Sequence, residues 1–130
     1  KHNWEVVMTT IEHVAIFADD TVALKDWYCK NFDMDIAYES DATPPVFFVK
    51  DADGVCIEII PRSEPAPAID TGLVFHLAFK TDDFDKTMAK LKANGVPLEA
   101  EVSPFPGTRV IFFNDPEGNR CQIVWRAKPV

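Results

Sequence analysis

The sequence predicts an α+β fold made of two βαβββ units, the second a copy of the first. Three observations carry that prediction. KDADGVCIEIIPR (50–62) has the layout of NDPEGNRCQIVWR (114–126): an acidic turn closed by glycine, alternating residues, then arginine. FFVKDADG (47–54) lies over IFFNDPEG (111–118) at an offset of 64 residues. IEHVAIFADD (11–20) lies over VFHLAFKTDD (74–83) at an offset of 63, so the match runs through most of each half.

Each half opens on a β-rich run, 11–18 and 73–80. An aspartate pair follows, Asp19-Asp20 and Asp82-Asp83, suited to cap a helix. The helical patterns come next: Leu24, Trp27/Tyr28 and Asn31-Phe32 in the first half, Phe84, Met88 and Leu91 in the second. Asn94-Gly95 and then Pro97 stop the second helix. Three short strands are expected after each helix, at 34–40, 45–50 and 55–61, then 98–102, 108–114 and 119–126. The proline-rich stretch PRSEPAPAIDTG joins the halves. The organisation read from this is an N-terminal extension (1–10), a first module (11–62), a linker (63–71) and a second module (72–126).

The 130 residues suit one domain, and 47% hydrophobic with 26% charged residues suits a packed core. A formal net charge of −8 argues against nucleic acid or an anionic membrane as partner. No apolar run reaches the roughly 18 residues of a membrane span. The three cysteines, Cys29, Cys56 and Cys121, include no CxxC pair, so a reducing cytoplasm is the simplest expected compartment.

Strand alternation sorts the side chains into two faces. Val14, Ile16 and Ala18, with Phe75, Leu77 and Phe79, Ile57 and Ile59, and Cys121, Ile123 and Trp125, form the face expected against the helices. The other face holds His13, Ala15 and Phe17; His76 and Ala78; Cys56, Glu58 and Ile60; Arg120, Gln122 and Val124. Two imidazoles, a carboxylate and a carboxamide thus take four equivalent strand positions. A single strand histidine is most often an ordinary core or surface residue. A carboxylate on an apolar strand, however, costs free energy unless it is paired, hydrogen-bonded or metal-bound. One divalent ion answers that cost for all four groups together. Nitrogen and oxygen donors of this kind suit zinc, nickel, cobalt, manganese or iron.

The segments IEHVAIF, CIEIIPR, FHLAFKTDDFDKTMAKLKANGV and FFNDPEGNRCQIVW resemble the vicinal oxygen chelate superfamily, also called the glyoxalase/bleomycin-resistance/dioxygenase fold, over residues 11–126. The resemblance implies that the two modules form a cupped mixed sheet with helices on its outer face. It implies a metal in the cup held from the first, fourth, fifth and eighth strands, positions that here carry His13, Glu58, His76 and Gln122. It further implies Lewis-acid chemistry on a small substrate chelated through two adjacent oxygens, with a proton moved next to a carbonyl. The eighth-strand position is usually Glu in the metal-using members and is Gln122 here. An amide accepts no proton at neutral pH, so Glu58 is the expected base. Phe17, Phe48 and Phe112 are candidates to line the cup, and Arg120 to bind a substrate anion; Arg62, Arg109 and Arg126 carry the same signal more weakly. The resemblance implies a homodimer, since such cups often form between chains.

Two other readings stay open. The missing second carboxylate suits a protein that sequesters a ligand without turnover, as bleomycin-resistance proteins do. The two histidines and Glu58 also supply the parts of a ring-cleaving dioxygenase, with the carboxylate on the wrong strand for that pattern.

Overall fold

A computed structural model describes residues 7–63 and 75–130. Most of the expected linker, the first residues of the extension and the start of the second opening strand lie outside the described residues. The described elements are β1 (His13–Ala18), α1 (Thr21–Phe32), β2 (Asp35–Glu39), β3 (Phe47–Lys50), β4 (Cys56–Pro61), β5 (Leu77–Lys80), α2 (Phe84–Ala93), β6 (Thr108–Asn114) and β7 (Arg120–Arg126). The α+β class is as expected. The strands divide into a four-stranded sheet, β1-β4-β3-β2, and a three-stranded sheet, β5-β7-β6. Each is mixed: β1 runs parallel to β4 and β5 parallel to β7, while the remaining pairs are antiparallel.

The second aspartate of each predicted pair is the helix cap. Asp20 Oδ1 accepts from Ala23 N at 3.0 Å and Asp83 Oδ1 from Lys86 N at 3.1 Å, each satisfying an orphan amide of a first turn. The strand expected at 98–102 does not form as a regular element. Glu99 N donates to Phe112 O and Val102 N to Val110 O, so three steps on one strand answer two on the other. That bulge interrupts the ladder and leaves only the bridge Val102 to Val110. β2 carries the same kind of register shift, between Ile36 and Tyr38, and persists because it pairs on both sides of it.

The repeated turn is the same device in both halves. Asp51 Oδ1 accepts from the amides of Asp53 and Val55, and Asp115 Oδ1 from those of Glu117 and Asn119. Gly54 and Gly118 close the two turns at φ 90° and 87°, where a side chain would be strained. Seven residues beyond the aspartate, each turn delivers one donor: Glu58 on β4 and Gln122 on β7.

One core serves both sheets. Ile16, Leu24, Tyr28, Phe47, Val49, Ile57 and Ile59 of the first half form a single buried cluster with Phe84, Leu91, Ile111, Phe113, Cys121 and Ile123 of the second. Helix α1 packs on its own sheet and turns its aromatic residues to the other. Phe32 stacks on Phe79 at 4.1 Å between centroids, and Trp27 and Phe32 both meet Phe113. Phe75, expected on this face, precedes β5 and is 70% exposed. Replacing Phe113 by Ala removes the ring that both α1 aromatics touch. The expected cost is about 3–5 kcal/mol by urea denaturation. A shared core also predicts one transition for both halves rather than two.

A polar network crosses the same interface. Buried Tyr28 donates to Asp115 Oδ2 at 2.7 Å, and Asn119 Nδ2 donates to the same oxygen at 2.7 Å. Burial pushes the Tyr28 hydroxyl well above its usual range and the Cys121 thiol up to about 12. Burial also raises the Asp115 carboxyl, against the donated hydrogen bonds of Tyr28 and Asn119, which pull it down. A raised folded-state value means that the native protein holds this proton more tightly than the unfolded chain. Asp115 therefore contributes its pH-linked stability below the ordinary carboxylate range and loses it as pH rises through the folded value. Asp115→Asn is expected to flatten that segment of the stability–pH curve, measured by denaturation across the acidic range.

Candidate metal centre

His13 opens β1, and its position sets the ring beside Glu58. Ala15 is the register partner of Glu58 across the parallel β1/β4 pair, and His13 stands two residues before it on the same face. His13 Nε2 lies 3.5 Å from Glu58 Oε1. His13 Nδ1 is 2.8 Å from Glu12 Oε1. With its proton on Nδ1, the ring donates to Glu12 and leaves the Nε2 lone pair on the side of Glu58, the tautomer a metal ligand needs. Glu12 did not enter the sequence reading. Its signal was an acidic residue adjoining a strand histidine, too common to single out.

The second half repeats the arrangement. Ala78 is the register partner of Gln122 across β5/β7, and His76 stands two residues before Ala78. Phe48 is the partner of Glu58 on β3, and Phe112 the partner of Gln122 on β6. The Phe48 ring meets the His13 ring edge to face at 5.3 Å, and Phe112 meets His76 in the same way at 5.4 Å. Phe17 lies on the His13 face of β1, 48% exposed.

The arginines divide by face. Arg120 places its guanidinium 4.4 Å over the Phe112 ring and donates from Nη1 and Nη2 to the two carboxylate oxygens of Glu99, at 2.6 and 3.0 Å. Those hydrogen bonds draw the Glu99 carboxyl below its ordinary value. Arg109 points to the helix side, bonded to Glu101 and Asp85 and stacked on Phe84. Arg62 pairs with Asp19 and Glu117. Arg126 is exposed at the end of β7. A cavity of about 590 Å³ lies elsewhere, lined by Trp27, Val96, Leu98, Phe113 and Asp115 among others, and none of the four donors borders it.

The donor chemistry fits a divalent ion: two imidazole nitrogens, one carboxylate and one amide oxygen. Their placement within one chain does not. Among the described residues, no group of three His, Cys, Asp or Glu side chains could hold a metal. The helix-facing sides of both sheets bury into one cluster, and each sheet carries one imidazole–oxygen pair of its own, His13 with Glu58 or His76 with Gln122.

The fold and the register of its repeats define an α+β protein of duplicated strand–helix–strand modules. The chain belongs to the Glyoxalase/Bleomycin resistance protein/Dioxygenase superfamily, which it matches over residues 10–123. It is 31% identical over 116 residues to the uncharacterised protein YaeR of Escherichia coli (strain K12), across 83% of this chain and 89% of that one. The structure of the glyoxalase family protein from Enterococcus faecalis is similar at a TM-score of 0.75 and 27% identity, covering 88% of this chain and 96% of that one. A mutant of the fosfomycin resistance protein FosX from Listeria monocytogenes, complexed with Mn(II) and 1S,2S-dihydroxypropylphosphonic acid, shares the fold. Its TM-score is 0.74 at 20% identity, over 95% and 94% of the two chains. No helix among the described residues is long and apolar enough to cross a membrane.

Proposed function

We propose that the protein is a metal-dependent lyase or isomerase of the glyoxalase type, acting as a homodimer on a small substrate with two adjacent oxygens. The observation that carries this reading is the repeat-related pair of half-sites, each offering one imidazole and one side-chain oxygen. The relatives support it in kind: the superfamily includes glyoxalases, and FosX was crystallised with Mn(II).

In this reading His13 and Glu58 of one chain face His76 and Gln122 of a second copy. Among the described residues β1 and β5 are the end strands of their sheets, which suits a meeting of two copies along those edges. A divalent ion bound there would supply Lewis acidity towards the two substrate oxygens. The remaining work falls to the side chains. Glu12 holds the His13 ring with Nε2 free. Glu58 is the one carboxylate of the four, so it takes the proton from the carbon next to the carbonyl and returns it. Gln122 contributes oxygen geometry without charge. Phe17 is placed to line the cup beside them, and Arg120, already neutralised by Glu99, is placed at its rim.

The test combines metal analysis of the purified protein with proton exchange. Incubation in heavy water with α-hydroxy and α-oxo carbonyl compounds, with and without a thiol, is expected to place deuterium next to the carbonyl. Absence of any bound divalent metal overturns the reading. A second reading, ligand sequestration without turnover, is favoured by Gln122 standing where a second carboxylate is usual. Ligand-induced stabilisation that survives chelator, with no exchange, would select it.

A further inference from the structure

Phe48 and Phe112 occupy matched places in the two halves, and the match extends to their surroundings. Each lies on the antiparallel neighbour of the donor strand, directly opposite the oxygen donor. Each turns its ring against an imidazole on the far side of the donor strand: His13, opening β1, at 5.3 Å and 70°, and His76, just before β5, at 5.4 Å and 79°. This edge-to-face geometry is the one that aromatic pairs favour. Each phenylalanine is braced from a further side by a different chemistry. The Tyr38 ring meets Phe48 at 6.1 Å and 77°, whereas the Arg120 guanidinium, fixed by Glu99, covers Phe112. Two unlike braces supporting like ring pairs mark the histidine contact as the common feature.

We propose that Phe48 and Phe112 are positioning residues, which hold the His13 and His76 imidazoles in the orientation that metal ligation needs; this rests on the function proposed above. The physical reason is that an imidazole turns about two side-chain bonds, and one hydrogen bond, such as that between His13 and Glu12, leaves part of that freedom. A ligand that must be ordered at binding binds more weakly than one already in place. Each ring wall removes that freedom before any ion arrives. Arg120 and Glu99 then act at one remove: they steady Phe112, which steadies His76.

The test uses Phe48→Leu and Phe112→Leu, which keep an apolar side chain and lose the ring, and Phe48→Tyr and Phe112→Tyr, which keep it. Phe47→Leu, on the core face of the same strand, is the control for a merely structural effect. The first readout is the Hα–Hβ couplings of the two histidines in the metal-free protein. Phe48→Leu is expected to move those of His13, and Phe112→Leu those of His76, toward rotamer-averaged values as the ring is released, and the Tyr variants to keep them fixed. The second readout is Mn(II) or Zn(II) affinity by calorimetry, expected to fall about tenfold in each Leu variant, the scale of losing a ligand-orienting group, and to recover in the Tyr variants. Phe47→Leu is expected to lower stability and leave both readouts in place. Unchanged histidine couplings in the Leu variants overturn the proposal. So does unchanged affinity in both Leu variants of a protein that binds metal. Failure of the wild-type protein to bind any divalent ion overturns the proposed function instead, while the metal-free histidine couplings still decide whether the rings hold the imidazoles.

Discussion

His13→Ala and His76→Ala, each purified alone, are expected to bind almost no divalent metal, and co-assembly of the two is expected to restore it. Among the described residues, no three His, Cys, Asp or Glu side chains gather into a metal-holding group within one chain, and each sheet carries one imidazole with one oxygen. If sites form between copies, every site in a His13→Ala homodimer lacks its first imidazole, and every site in a His76→Ala homodimer lacks its second. A mixed dimer differs. One of its sites lacks both imidazoles, and the other draws His13 from one chain and His76 from the other, both intact. Co-expression with two affinity tags isolates the mixed species, and metal analysis reads the result: about one ion per mixed dimer against two in the wild-type dimer. Were each site built within one chain, mixing would rescue nothing. That outcome would remove the shared-site arrangement while leaving the donor set itself to the single variants.

Glu58→Gln is expected to lower turnover by about 10²–10⁴-fold, the usual contribution of a positioned general base. The amide keeps an oxygen where the carboxylate stood, so metal content should fall far less than activity. Loss of a group acting in the proton-transfer step lowers kcat and kcat/KM together, which distinguishes it from a weakened substrate contact that raises KM alone. Deuterium exchange next to the carbonyl should vanish in parallel, because the same carboxylate moves the proton in both assays. Retention of exchange within about tenfold of wild type would remove Glu58 from the base role. The reverse substitution, Gln122→Glu, adds a second carboxylate at the repeat-equivalent position. It is expected to tighten metal binding without restoring activity to Glu58→Gln, provided that the two half-sites are chemically unlike.

Much of this molecule was legible as sequence because its signals are local and written twice. An Asp-x-x-Gly turn closes through its own aspartate whatever surrounds it, so the match of KDADG to NDPEG foretold two identical turns. Period-two alternation then placed Glu58 and Gln122 on the face opposite Ile57, Ile59, Cys121 and Ile123, and burial separates these six residues, although Cys56 and Val124 on the Glu58/Gln122 face are buried as well. The aspartate pairs announced both helices for the same local reason. The strand expected at 98–102 was misread because a bulge depends on the partner strand, and LEAEV by itself carries no sign of it.

The sequence by itself determined which residues share a face, which turns bring them there, and that two imidazoles and two side-chain oxygens occupy equivalent places. Only the tertiary structure decided how those faces stand to each other. Trp27, Tyr28 and Phe32 reach across from α1 to Phe79, Phe113 and Asp115, and that contact fuses two modules back to back around one core. The sequence pattern reports which side of a strand is apolar, but not which apolar sides will be buried together. That choice belongs to long-range packing, and here it sets His13 with Glu58 and His76 with Gln122 on separate sheets around one core.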